Sequence, residues 1–363
     1  MTRARIKIPR EVVQKYLDEK EGGHVEILEY AELGSGWHGT GYKIKFKPAT
    51  KGAAAKEIVL RTLMPVDFSH DYLSDRAKVF LLQHEMAKDI PLHIDSFDVS
   101  GYTRDNRLVS LGDVSEFFQI VEVAHGTAHS ADFQRIKESG KLADGDIEKA
   151  RILSDYLVDL HSKKYSGSVE EIRSIRRRHS RDALGHGEML VGVVDTYPDD
   201  FKFISRRELT DLICKAAKFR EGVKDTPFLP CRMHGDFHPA NIMFKGKELT
   251  VLDCSRELFG DPADDLTTMA INYIWFAVMQ KGAFEGPFAE MFDVFWKNYI
   301  KKTGDKTITV TAGIYLAFRG VVVAHPVFYG AQSDDVRRTM IRFVSNVLAD
   351  DRFDPDRIKE YLR

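Results

Sequence analysis

The sequence predicts an α+β fold in two parts, a small antiparallel sheet followed by a larger helical lobe. Three observations predict it. The first third alternates apolar and polar residues with period two, broken by glycine and proline turns. After Gly126 the apolar residues recur at helical spacing instead. At 363 residues the chain also exceeds what one hydrophobic core usually fills.

The elements follow in order. Residues 11–20 predict a short opening helix. From His24, HVEILEYAELGSGWHGTGYKIKFKP reads as a strand, a glycine-rich turn and an alternating strand over Tyr42–Phe46. The small, alanine-rich stretch Lys47–Lys56 connects to a third strand, Glu57–Pro65, which proline ends. Ser74–Asp89 places Val79, Leu82 and Met86 on one helical face. Two further strands are expected at Ile94–Val99 and Phe117–Glu122. Beyond Gly126, Ile147–His161 carries Ile152, Leu153, Leu157 and Leu160 at helical spacing. Helices continue through Ala216 and return at Ala263–Gln280, Phe284–Ile300, Ile308–Val323 and Asp334–Leu348. Met233–Asp253 interrupts them as a loop, a short strand, a turn at Lys245-Gly246 and a second short strand. The expected organisation is an N-terminal lobe over residues 1–122, an extended link over 123–126, and a helical lobe over 127–363.

Composition excludes several classes. Apolar residues make 43% and charged residues 30%, and the net charge is -2, as in an ordinary soluble enzyme. That balance does not call for nucleic acid or an anionic membrane as partner. The charged opening turn lacks a signal-peptide core. The apolar stretches Met269–Met279 and Ala312–His325 are too short to span a bilayer. Cys214, Cys231 and Cys254 are scattered and form no CxxC, so neither a disulfide framework nor a zinc site is expected. The expected setting is the reducing cytoplasm.

The chemistry concentrates in HGDFHPANIMFKGKELTVLD, His234–Asp253. Asp236 and Asn241 share one loop, and Asp253 ends the hairpin that follows. Phosphoryl transfer needs such a set: a carboxylate to orient an attacking hydroxyl and accept its proton, and hard oxygen ligands to hold Mg²⁺ on the phosphates.

Here the sequence resembles the aminoglycoside phosphotransferase and choline kinase superfamily, a branch of the protein-kinase-like fold. HGDFHPAN is similar to that family's catalytic loop, and GDPADDL, Gly260–Leu266, to the segment after its metal aspartate. The resemblance spans about Val25 to Phe343. It implies a bilobal protein-kinase-like fold and transfer of the γ-phosphate of ATP or GTP, with Mg²⁺, to a hydroxyl of a small molecule. It implies that Asp236 is the catalytic base, that Asn241 and Asp253 hold the metal, and that His234 and Asp265 brace the loop. Gly34, Gly36 and Gly39 of GSGWHG would cover the phosphates, because a strand rather than a helix follows them. Arg61 stands where the family's strand lysine is expected, with Glu85 as its helix partner. Arg61 binds phosphate as a fork, and Lys56 or Lys45 are the other candidates for that contact. Backbone groups at Glu122, Val123 and Ala124 would bond the base, which leaves adenine and guanine both open.

Some segments keep two readings. RSIRRRHSR, Arg173–Arg181, is either a solvated basic helix face or an anion site. Asp182–Asp200, with glycines around His186, is either a substrate-pocket loop or a helix connection. A catalytically silent nucleotide-binding regulator is the alternative to an enzyme, favoured by Arg61 in place of lysine. The six residues between Asp253 and Gly260 are too few to order a peptide, so small-molecule acceptors are expected over proteins. The acceptor's identity and the oligomeric state are not written in the sequence.

Overall fold

The computed structural model describes residues 7–36, 39–50, 52–64 and 70–363. It divides into two compact units, Met1–Val121 and Glu122–Arg363. The α+β class expected from the sequence holds: small antiparallel sheets accompany a larger helical part.

In the first unit, α1 (Arg10–Lys20) precedes β1 (Glu26–Gly36), β2 (Gly39–Lys47) and β3 (Lys56–Leu63), which form an antiparallel sheet in that order. The alternation seen in the sequence is the reason. Val25, Ile27, Ile44 and Phe46 point to one side and are buried, together with Val13, Tyr16 and Leu17 of α1. Gly36 pairs with Gly39 across the hairpin, and residues 37 and 38 lie outside the described ones. Arg61 of β3 is opposite Gly41. α2 (Leu73–Met86) follows and buries none of its residues.

The two further strands expected from the sequence are not there. Instead β4 (Ser100–Tyr102) and β5 (Leu108–Ser110) form a small hairpin. Around Ile94–Val99 the chain is held by the Asp98 side chain rather than by a ladder. Asp98 accepts from Tyr16, pairs with Lys20 at 3.1 Å and accepts from Gly112 N at 3.0 Å. Among the described residues no strand lies beside Phe117–Glu122, and Phe118 and Ile120 are exposed.

The second unit holds the main core. A short strand, β6 (Thr127–Ala128), leads into α3 (His129–Ser139), α4 (Asp146–Ser162), α5 (Val169–Gly185), α6 (Leu190–Asp195) and α7 (Arg206–Val223). Then come β7 (Cys231–Arg232), β8 (Ile242–Lys245), β9 (Glu248–Val251) and β10 (Phe259–Gly260). The chain closes with α8 (Pro262–Lys281), α9 (Pro287–Thr303), α10 (Thr307–Val323), α11 (Asp334–Val347) and α12 (Ile358–Tyr361). α8 and α10 are apolar nearly all round, which is why they sit inside the bundle. Asp261 caps α8 by accepting from Ala263 N at 2.9 Å, with Pro262 in the first turn. That cap fixes where Asp264 and Asp265 enter the core. No helix among the described residues is long and apolar enough to cross a membrane.

Candidate active site

The site is built on the loop between β7 and β8. Gly235 adopts φ +84, and a Cβ there would meet Ser255 O at 1.9 Å. Only glycine fits, because Ser255 N is itself bonded to His234 O at 3.0 Å and cannot retreat. The Asp265 carboxylate accepts from His234 N at 2.8 Å and Gly235 N at 2.7 Å. His161 of α4 contacts the same carboxylate at 3.2 Å and reaches Tyr299 through its other nitrogen at 2.8 Å. All of these groups are buried, so each bond replaces one that water would have made. His234 is buried too. Its Nδ1 accepts from Asp236 N at 3.3 Å, and burial pulls its pKa down, which keeps it neutral.

Asp236 follows. Arg319 of α10 donates to its Oδ1 at 2.5 Å and to Gly235 O at 3.1 Å. His238 and Arg256 stand farther off, at 3.5 and 3.7 Å. Burial alone would raise the pKa of Asp236. His238, Arg319 and Arg256 outweigh it and hold the carboxyl well below the usual range. Asn241 donates to Asp236 O at 3.1 Å, which ties the two ends of the loop.

The β8–β9 hairpin sets the remaining pair. Ile242 is opposite Val251, and Leu252 N donates to Asn241 O at 2.8 Å. Asp253 is therefore next to Asn241's end of the hairpin. It is exposed and has φ +50, and Arg256 has φ +72. Non-glycine residues in this region collect at functional sites. Asn241 spends its amide N–H on Asp236 O, which leaves its carbonyl oxygen available. An amide oxygen beside an exposed carboxylate is a donor set of hard oxygens, which suits Mg²⁺ and does not suit a soft metal.

Beneath the loop lies a buried charge network. His179 of α5 stands between Asp264 at 3.4 Å and Glu257 at 3.5 Å. Arg178 pairs with Glu257 at 3.0 Å, and Arg319 approaches Asp264 at 3.5 Å. Burial would lower the pKa of His179. The two carboxylates overcome that and push it up to about 10. The basic run of α5 thus turns inward in part, while Arg177 pairs with Asp225 at 3.0 Å.

A cavity of about 370 Å³ opens beside Asp236. Gly187, Glu188 and Thr196 line it from the α5–α6 region, and Phe318, Phe328 and Tyr329 from α10 and the loop after it. Gly192 allows the turn, since a Cβ there would meet Gly187 O at 2.0 Å. Of the two readings of Asp182–Asp200, the pocket loop is the one this wall favours.

The second unit brings together Asp236, Asn241, Asp253, His234 and Asp265. The first unit carries Gly34 and Gly36 at the end of β1, Gly39 at the start of β2, and Arg61 on β3. The pair expected between Arg61 and Glu85 is not what forms. Arg61 donates to Gln83 Oε1 at 2.6 Å and stands over the Phe80 ring at 5.7 Å. Residues 80 and 83 share a helix face, whereas residue 85 is turned about 200° from 83, and Glu85 is exposed. Lys45 is engaged with Glu57 at 2.8 Å and Lys56 with Glu21 at 2.7 Å. Glu122, Val123 and Ala124 lie in neither helix nor strand at the start of the second unit. Three functional candidates were missed from sequence: Arg319, Arg256 and His238. Arg319 did leave a signal, as the one charged residue in the apolar run Ile308–Val323.

Comparisons with known proteins point the same way for the catalytic segment. Residues 205–290 match the model of the phosphotransferase enzyme family. The match contains both HGDFHPAN and GDPADDL, and bears out the resemblance read from them. No curated protein matches the chain in sequence. Among solved structures, an aminoglycoside phosphotransferase in ternary complex with ADP and hygromycin B is similar at 12% identity and a TM-score of 0.38, covering 92% of this chain and 97% of that one. A glucosamine kinase with glucosamine, ADP and inorganic phosphate gives 13% identity and 0.40, covering 65% and 62%. A putative fructosamine-3-kinase from Haemophilus somnus gives 12% and 0.36, covering 92% and 97%.

Proposed function

With residues 205–290 matching the phosphotransferase enzyme family, we propose that this chain transfers the γ-phosphate of ATP or GTP to a hydroxyl of a small molecule bound beside Asp236. One observation carries the reading. Asp236 is in the wall of the cavity and is kept ionised there by His238, Arg319 and Arg256. A base must be unprotonated and within reach of the hydroxyl it serves. A carboxylate of such low basicity orients the hydroxyl and takes its proton late, which suits the loose transition state of phosphoryl transfer.

Asn241 and Asp253 would hold Mg²⁺, whose charge would offset that of the phosphates. Asp265 holds the loop by two backbone N–H groups, so Asp236 approaches the acceptor in one geometry. Gly34, Gly36, Gly39 and Arg61 would meet the phosphates, and backbone groups at 122–124 the base. The second reading, a silent nucleotide-binding regulator, draws on Arg61 having a neutral partner in Gln83.

The test is transfer from γ-labelled ATP or GTP, with Mg²⁺, to a panel of hydroxyl compounds. Asp236→Asn is expected to lower kcat by roughly 10²–10⁴-fold while magnesium-nucleotide binding persists. Asp253→Ala is expected to weaken that binding. Unchanged turnover in Asp236→Asn removes Asp236 from the mechanism. Tight magnesium-dependent nucleotide binding without transfer to any acceptor favours the regulator.

A further inference from the structure

At the cavity, two guanidiniums share one carboxylate. Arg319 takes Asp236 at 2.5 Å and Gly235 O at 3.1 Å, and stands 3.5 Å from Asp264. Arg256 is left with the same carboxylate at 3.7 Å and with Ser255 Oγ at 3.4 Å. Neither is a good charge-assisted bond. The Nε of Arg256 is buried without a partner, and its side chain is only 12% exposed. Its guanidinium and that of Arg319 both stand over the Phe318 ring, at 5.1 and 4.5 Å. Burial and the neighbouring Arg319 pull the pKa of Arg256 down and outweigh the attraction of Asp264, Asp236 and Glu188, so its charge is only partly compensated.

A guanidinium offers five donors in a fixed fork that matches a carboxylate or phosphate. The other acid in the wall, Glu188, is exposed, so water screens it far more than it screens Arg256. The wall includes Asp236, His238 and Arg256 but neither Asn241 nor Asp253. Because the proposed metal ligands are not in this wall, it suits an acceptor better than the donor's phosphates. A polycationic acceptor would meet both guanidiniums at short range.

We propose that the acceptor carries an anionic group, a carboxylate or a phosphate, and that Arg256 reads it. The inference rests on the phosphotransferase reading and adds the substrate's charge. The hydroxyl faces Asp236, the anionic group faces Arg256, and Phe318, Phe328 and Tyr329 cover an apolar or ring-bearing body.

The experiment uses acceptor series that share one hydroxyl-bearing body and differ in a single group: carboxylate, phosphate monoester, carboxamide or amine. Transfer from γ-labelled ATP with Mg²⁺ is measured as kcat/KM for the wild type, Arg256→Gln and Arg256→Lys. The wild type is expected to favour the carboxylate or the phosphate member over the carboxamide by roughly 10- to 100-fold, the range of a charge-assisted bond, and the two arms tell the anions apart. Arg256→Gln is expected to abolish that preference through the KM of the acceptor. Arg256→Lys, which keeps charge but not the fork, should retain part of it. Preference for the amine member overturns the inference. So does an Arg256→Gln effect that falls on the KM of ATP, since the anion read would then be the donor's. Should Arg256→Gln unfold, the wild-type ranking and Arg256→Lys carry the test. If no member accepts phosphate, calorimetric binding of the same series separates the two ideas. Binding of the anionic members that is lost in Arg256→Gln keeps the subsite while the phosphotransferase reading falls, and binding indifferent to charge overturns the subsite.

Discussion

As the proposed base, Asp236 has to stay ionised, yet its side chain is only 25% exposed. Burial and the surrounding cations act on it in opposite directions, and Arg319 is the nearest cation. Replacing Arg319 by methionine keeps the volume and removes the charge, so burial is then opposed only by the more distant His238 and Arg256. The acid limb of the kcat/KM profile, which lies below pH 4 in the wild type, is expected to rise into the range pH 4 to 8 in Arg319→Met. A limb that stays in place would show that Arg319 does not set the protonation of Asp236. The sign for stability is the usual one for a carboxylate with a depressed pKa. Its contribution is present above the unfolded value of about 3.9 and is lost as the pH falls through the lower folded value. The stability gap between wild type and Arg319→Met should therefore narrow in acid. Gly235 poses a steric problem instead. Alanine at φ +84 costs about 1–2 kcal/mol in backbone conformation alone. The contact at 1.9 Å with Ser255 O adds to that, because the partner atom is backbone. Gly235→Ala is expected to lose at least about 2 kcal/mol in denaturant unfolding together with its transfer activity, and an unchanged unfolding midpoint would contradict the packing described.

Helix α5 is joined to the start of α8, and to the segment before it, by His179 lodged between Asp264 and Glu257. Its folded pKa of about 10 lies above the unfolded value of about 6.5. The linkage is fully stabilising below pH 6.5 and fades as the pH rises through 10. His179→Gln should thus be less stable than wild type by a few kcal/mol, about 3, at pH 6, with the difference shrinking by pH 10. Urea unfolding at pH 6, 8 and 10 measures it, and a constant gap would mean that His179 is not charged in the fold. Elements of this kind were only partly legible in the sequence. The candidate catalytic loop was legible because its residues are local: Asp236, Asn241 and Asp253 lie within one loop and one hairpin. Helices α4, α9 and α11 were legible because each has its own period, and α8 and α10 because their apolar runs are too long for strands. Arg256, in the loop between β9 and β10, was not, since what marks it is the carboxylate of Asp236 that it shares with Arg319, 63 positions away in the chain on α10. The strand expected at Phe117–Glu122 failed for a related reason. An apolar run becomes a strand only where another strand pairs with it, and none does among the described residues.

The two units differ in how much core each has. In the first, the buried cluster gathers on α1 and one face of the sheet, and α2 contributes nothing buried. In the second, buried side chains run continuously from α3 to α12. Between the hairpin β4–β5 and strand β6, residues 111–126 form neither helix nor strand, and Phe117, Phe118, Ile120 and Val123 are exposed. Proteases need an extended, accessible stretch of this kind. Limited chymotrypsin digestion is expected to cut first at Phe117 or Phe118. It should leave a resistant fragment of the second unit that still unfolds cooperatively, while the first unit is degraded further. First cuts inside α3–α11 would overturn this division of stability. The same digestion bears on the proposed nucleotide site. If backbone groups of Glu122–Ala124 bond the base, those groups cannot also adapt to a protease cleft that has to grip the chain on both sides of Phe118. Magnesium-ATP should then slow the first cut, by a factor approaching 1 + [ATP]/Kd when cleavage requires the nucleotide-free state, and ADP without magnesium should slow it less. Cleavage at the same bond and the same rate with saturating nucleotide would place the base elsewhere, and would do so without depending on knowledge of the acceptor.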